Sequence, residues 1–361
     1  KAVMPYFAPD GSLWVVWSAA GTISVARSTD AGKHFDPRIE IARHGELLDT
    51  GPDARPQLVG DHHGNMILAY SFFKDQKWNA QVNIATSTDQ GKSFSAPRAI
   101  SSDPASQRFA TLGVNAKGQV FAAWVDKREV AASLAAGKKR SGASIVFAFS
   151  EDGGQTFTGE RVVREQSCEC CRIAMAMTEQ GSPALLYRAI FAGSVRDHAS
   201  QILTPAESAG PVRRVSNDNW ATESCPHHGP SLAISGEDRA MHAAWFTQGS
   251  ARNGIFYARS TDQGAHYSAP RQIGQSQRQP GRPYLLAQGR HVWLVWKEFD
   301  GKTVTVWLEQ SQDEGVSWSK PQQLAQAVGY TDHPLLVSQQ NKVYLSWLTA
   351  AEGYLFKELT R

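Results

Sequence analysis

No apolar run in the sequence approaches the ~18 residues that a membrane-spanning helix needs, so no such helix is expected. Nor is there a strong excess of charge. Thirty-seven Lys and Arg against 34 Asp and Glu leave +3, and no basic run exceeds GKKR at 137 to 140, too little for a nucleic-acid footprint. Long amphipathic helical patterns are missing, which points away from a bundle. No recognisable signal peptide opens the chain, and its abrupt start at Lys1 is compatible with a leader already removed. Cysteine is scarce, with four in 361 residues, and none has the C-x-x-C-H spacing of covalent haem.

What is present is tryptophan (11), glycine (30) and a hydrophobic fraction of 41%, enough to build a core. Short apolar runs such as LWVVW (13 to 17), VFAAWV (120 to 125) and VWLVW (292 to 296) are bounded by turn residues and recur at even spacing. The pattern predicts an all-β protein built of repeats.

Five segments share the form S-x-D-x-G-x-x-aromatic: STDAGKHF (28 to 35), STDQGKSF (87 to 94), SEDGGQTF (150 to 157), STDQGAHY (260 to 267) and SQDEGVSW (311 to 318). An Asp such as Asp30 can accept backbone N–H groups within its own turn, and a Gly such as Gly32 permits positive φ. The aromatic is expected to pack into the sheet below. Two further series count the repeats. Trp17, Tyr70, Trp124, Tyr187, Trp245, Trp296 and Trp347 mark the second strands. Met4-Pro5, Arg55-Pro56, Arg108-Phe109, Arg172-Ile173, Gly229-Pro230, Arg282-Pro283 and His333-Pro334 mark the first strands. Both series step by about 51 to 64 residues, the size of a four-stranded blade. The segments resemble the Asp-box (BNR) repeat of the sialidase-like β-propellers. The resemblance covers almost the whole chain and implies one propeller domain over residues 1–361. Seven repeats are counted, the seventh ending after about three strands, with the six blades of the sialidases as the alternative.

The cysteines fall in two places. SCECCR (167 to 172) leads into the fourth repeat and ESCPHHGP (223 to 230) into the fifth. Loops entering consecutive first strands are neighbours in a propeller, so Cys168, Cys170, Cys171, Cys225, His227 and His228 are expected to converge at the channel mouth. Thiolates with imidazoles suit copper(I), with zinc as the alternative. The run C-x-C-C resembles a short motif of bacterial copper-resistance proteins. His333 and Met4 are candidate additional ligands. The propeller resemblance also implies export, since Asp-box propellers are commonly exported, and four cysteines then allow disulfides: Cys168–Cys225, with Cys170 and Cys171 joined as a vicinal pair or left free.

The sialidase resemblance implies a second site. There, three arginines hold a sugar carboxylate, a tyrosine activated by a glutamate attacks, and an aspartate serves as acid and base. Arg188, Arg282, Tyr330, Glu169 and Asp53 match those roles, while Met4 stands where the first arginine would be. The expectations are therefore an exported, periplasmic or secreted propeller that binds copper, for copper handling or a copper-dependent redox step. The alternatives are a sialidase-type glycoside hydrolase acting on a small anionic substrate and a protein-binding scaffold using the long insertion at 125 to 143. His62 and His63 are expected in a surface turn.

Overall fold

Apolar runs with β-branched and aromatic residues form strands because each side chain packs on a pleated surface. In the computed structural model, which describes residues 2–359 except 139, 205–209 and 237–239, these runs build seven antiparallel sheets, the blades of a β-propeller. Each sheet is a meander, its strands hydrogen-bonded in sequence order. The first six sheets have four strands each, and the seventh has three among the described residues: Leu335–Gln339, Lys342–Thr349 and Gly353–Leu359.

Chain contacts divide the molecule into two units, Lys1–Arg172 with Val337–Lys342, and Ile173–Leu336 with Val343–Arg361. The first unit holds sheets one to three and the second holds sheets four to six with most of the seventh. Within the first unit the first strands of sheets one, two and three (Ala2–Phe7, Gln57–Gly60, Gln107–Val114) lie side by side. Within the second the same holds for Ala174–Met177, Ser231–Ile234 and Gly281–Gln288. The hairpin tip at 337–342 belongs to the first unit, where Gln339 Nε2 donates to the Gly11 carbonyl at 2.7 Å.

The second strands form the centre of each core. Val120–Asp126 is buried along its whole length, and the seven marker aromatics all fall in second strands. A buried indole N–H needs an acceptor. Trp124 Nε1 finds Asp126 Oδ2 at 2.9 Å, Trp245 finds Asp218 Oδ2 at 2.7 Å and Trp296 finds Glu298 Oε1 at 3.0 Å.

The five S-x-D-x-G segments make one repeated turn after the third strand. In the first, Ser28 Oγ donates to Asp30 Oδ1 at 2.8 Å while accepting the Gly32 N–H at 2.9 Å, and Asp30 Oδ1 accepts the His34 N–H at 2.9 Å. Gly91, in the second, has φ +82°, and a Cβ there would overlap the Trp14 ring of the preceding sheet, so glycine is required twice over. The aromatics Phe94, Phe157, Tyr267 and Trp318 pack on sheet cores, whereas Phe35 is 38% exposed, a departure from the sequence expectation. The long insertion also differs from a plain loop. Its REVAASLA segment, rich in helix-forming Ala and Leu, forms an α-helix, Arg128–Ala135. His62 and His63 lie exposed in the turn between the first two strands of sheet two, where Asp61 Oδ1 accepts the His63 and Asn65 N–H groups at 2.9 Å.

Candidate metal centre

Cys168 follows directly on the outer strand of sheet three, Thr158–Ser167, whose last residue pairs with Ala143. The chain then turns through Glu169 and Cys170. This turn points three thiols at one place. Cys168 Sγ lies 3.4 Å from both Cys170 Sγ and Cys171 Sγ, and all three sulfurs are within 4.8 Å of one another. The residues are 1%, 3% and 3% exposed, and none is in a disulfide. Hydrogen bonding with Cys168 and Cys171, then burial, pushes the Cys170 thiol far above its ordinary range.

The donor set is all sulfur, which selects soft cations. A trigonal centre with metal–sulfur bonds of about 2.3 Å sets its sulfurs about 4 Å apart. The two Cys168 separations of 3.4 Å fall short of that value by about 0.6 Å, so the thiols would have to spread slightly to take an ion.

Two ion pairs brace the loop within the same unit. Glu169 Oε2, from between Cys168 and Cys170, meets Lys127 Nζ at 2.6 Å, just ahead of the insertion helix. Arg172 Nη1, directly after Cys171, meets Asp53 Oδ1 at 3.0 Å. Local sequence pattern does not single out Lys127. It is far from Glu169 in the chain, and no local spacing rule couples the two. Asp53 and Glu169, matched above to glycosidase roles, thus each carry a cationic partner beside the thiol loop. Neighbouring Arg108 is bidentate to buried Asp49 at 2.8 Å, and Arg55 donates to the Val3 carbonyl.

The second loop belongs to the other unit and has a different character. Cys225 and His227 are exposed, and His227 takes φ +51°. The His228 ring is half-buried and stacks on Phe246 at 3.9 Å between centroids. Cys225 and His228 share the lining of a small cleft with Trp220, Phe246 and Gln248. Arg188 fixes this loop from behind. It is 1% exposed, and its Nη1 donates to the Arg196 carbonyl at 2.8 Å. Its Nη2 donates to the carbonyls of His228 at 3.0 Å and Phe246 at 2.8 Å. Arg282 donates to the His227 carbonyl and lines a larger cleft of about 450 Å³ with Lys297 and Phe299. Tyr330 is 47% exposed and His333 is buried. Met4 lies within the first strand of sheet one, partly buried against that sheet's core.

No protein-family profile matches this chain. No curated protein matches it in sequence either. Among solved structures, the fold is similar to an ulvan lyase of polysaccharide lyase family PL25, with a TM-score of 0.62 and 11% identity over 97% of this chain and 89% of that one. It is similar to a leech intramolecular trans-sialidase, with a TM-score of 0.55 and 9% identity over 97% and 83%. It is also similar to the intramolecular trans-sialidase of Ruminococcus gnavus, with a TM-score of 0.54 and 11% identity over 83% and 90%. At these identities the likeness concerns the fold alone, which is that of the β-propellers of sialidase-like and polysaccharide-degrading enzymes.

Proposed function

We propose that this chain is an exported copper-binding propeller. Cys168, Cys170 and Cys171 are its primary ligands, and it serves copper handling or a copper-dependent redox step. The observation that carries this reading is the buried, all-sulfur triad within 4.8 Å, because oxygen-preferring ions have no ligand there. Cys225, His227 and His228 are proposed as further ligands on the strength of their place at the entrance to the next repeat. Zinc is the competing ion, and its preference for four-coordination makes it depend more heavily on such extra ligands.

The test is anaerobic titration of reduced protein with copper(I) against a colorimetric chelator, paired with elemental analysis and a thiol count. Stoichiometric copper retained against the chelator supports the reading. Four titratable thiols with no retained metal would discard it.

A glycoside hydrolase or lyase is the second reading, supported by the fold likeness to carbohydrate-active propellers and by exposed Tyr330. Against it, Arg188 is committed to three carbonyls rather than to a ligand. Cleavage of a fluorogenic sialoside, abolished in Tyr330→Phe, would establish it.

A further inference from the structure

We infer that Cys168 and Cys171 form a thiol–disulfide site whose oxidised state leaves Cys170 as a free thiol. The inference stands on the metal-free chain. Only its last consequence, loss of metal, rests on the copper reading.

The C-E-C-C run contains a C-x-x-C spacing between Cys168 and Cys171, and the backbone turns at Glu169 and Cys170 between them. Ends of a four-residue β-turn lie under about 7 Å apart at Cα, which overlaps the roughly 4.4–6.8 Å that a disulfide spans. The two sulfurs already stand 3.4 Å apart, so bonding at about 2.05 Å asks for an approach of roughly 1.3 Å, within the reach of side-chain rotation. Cys170 Sγ is equally near Cys168, but a C-x-C bridge closes a tighter ring across a single intervening residue. A Cys170–Cys171 bridge must close between adjacent residues across one planar peptide unit, the least accommodating of the three. Of the two braces, Asp53–Arg172 lies just beyond the ring that closes, whereas Lys127–Glu169 holds a residue within it.

The reaction balances as two exchanges with a small-molecule disulfide. One protein thiolate attacks it, forming a mixed disulfide and expelling one small thiol. The second protein thiol, losing its proton, attacks the mixed disulfide and expels the other. Two protein thiols are oxidised, and one small-molecule disulfide is reduced to two thiols. Burial at 1 to 3% makes the exchange slow and small oxidants the only practical partners. Closure removes two of three soft donors, so the bridged and metal-loaded states exclude each other.

The experiment equilibrates the full reduced, metal-free chain with graded ratios of reduced and oxidised glutathione, then traps free thiols with N-ethylmaleimide. Proteolysis after Glu169 separates Cys168 from the Cys170–Cys171 fragment, and mass spectrometry reads the linkage. The expected product joins the two fragments, with Cys170 and Cys225 alkylated. Cys170→Ser retains the bridge, and Cys171→Ser loses it. A bridge that persists in Cys171→Ser, a vicinal bridge, a link to Cys225, or four alkylated thiols at every ratio overturns the assignment. Tandem fragmentation between Cys170 and Cys171 of the wild-type linked peptide shows which of the two is alkylated, and that decides the case even if a variant fails to fold. Copper(I) retention by the bridged form should fall at least tenfold below that of the reduced form. Failure of both forms to bind copper would sink the copper reading and leave the disulfide assignment standing on its own map.

Discussion

Two loops occupy equivalent places in consecutive repeats, one entering the fourth sheet and the other the fifth, and they divide their chemistry unequally. In residues 168–171 the reactive atoms are buried and point at one another, and the charged neighbours are tied to the surrounding unit. In residues 225–228 the backbone carbonyls are the fixed element, held by Arg188 and Arg282, while the thiol and one imidazole face solvent. The difference teaches that cysteine and histidine content alone does not mark a reactive site. Which part of the loop is preorganised, side chain or main chain, determines what it can do.

The strongest way to sharpen this contrast is to remove the main-chain anchor of the second loop. Arg188→Met leaves three carbonyls in its buried surroundings without that donor and should cost about 3–5 kcal/mol of unfolding free energy. Urea denaturation checks it, and a loss under about 1 kcal/mol would show that the loop holds itself. Next comes ligand deletion. Cys168→Ser, which removes a primary ligand, should weaken copper(I) binding at least ~100-fold, whereas Cys225→Ser, which removes a secondary one, should cost about 10-fold. Equal losses in chelator competition would erase the distinction between the loops. A smaller effect separates both loops from the repeated turns. Serine hydroxyl and backbone hydrogen bonds hold Asp89 and Asp313 down at about 2, and backbone and side-chain bonds from His34 and His266 lower Asp30 and Asp262 as well. Depressed carboxyls stabilise the fold above their unfolded value of about 3.9, and that contribution is lost as pH falls through the folded values. Stability followed by circular dichroism should therefore decline between about pH 4 and pH 2, and Asp89→Asn should flatten the decline. The smallest effect concerns the brace. Lys127–Glu169 is 41% and 35% exposed at its side chains, so Lys127→Met should change stability by less than about 1 kcal/mol. It should nonetheless raise the rate of thiol modification of the metal-free triad several-fold, and an unchanged rate would remove Lys127 from the site.

Much of the architecture was legible in the sequence because repetition amplifies weak signals. The seven second-strand aromatics fall in second strands, the seven pairs fall within a first strand or immediately before one, and the short seventh sheet follows the count. The S-x-D-x-G segments were legible because each is a self-contained set of hydrogen bonds within eight residues. Phe35 escaped the same logic because its burial depends on what lies beneath its turn, which local pattern does not record. The site was legible only as residue types. Nothing near Glu169 in the chain announces Lys127, and Asp53 and Arg172 are 119 positions apart. Arg188 looked like a ligand-binding arginine, but its partners are carbonyls from the same unit, and carbonyls are invisible to any reading of side-chain identity.

The hydrogen bond from Gln339 to Gly11 spans 328 positions and lies wholly inside the first unit. During synthesis, a nascent chain would expose its opening sheets long before their final cross-link emerges from the ribosome. The amino-terminal unit is thus completed by residues made almost last, and a chain stopped ahead of residue 337 should lack that contact, worth on the order of 1 kcal/mol for one hydrogen bond.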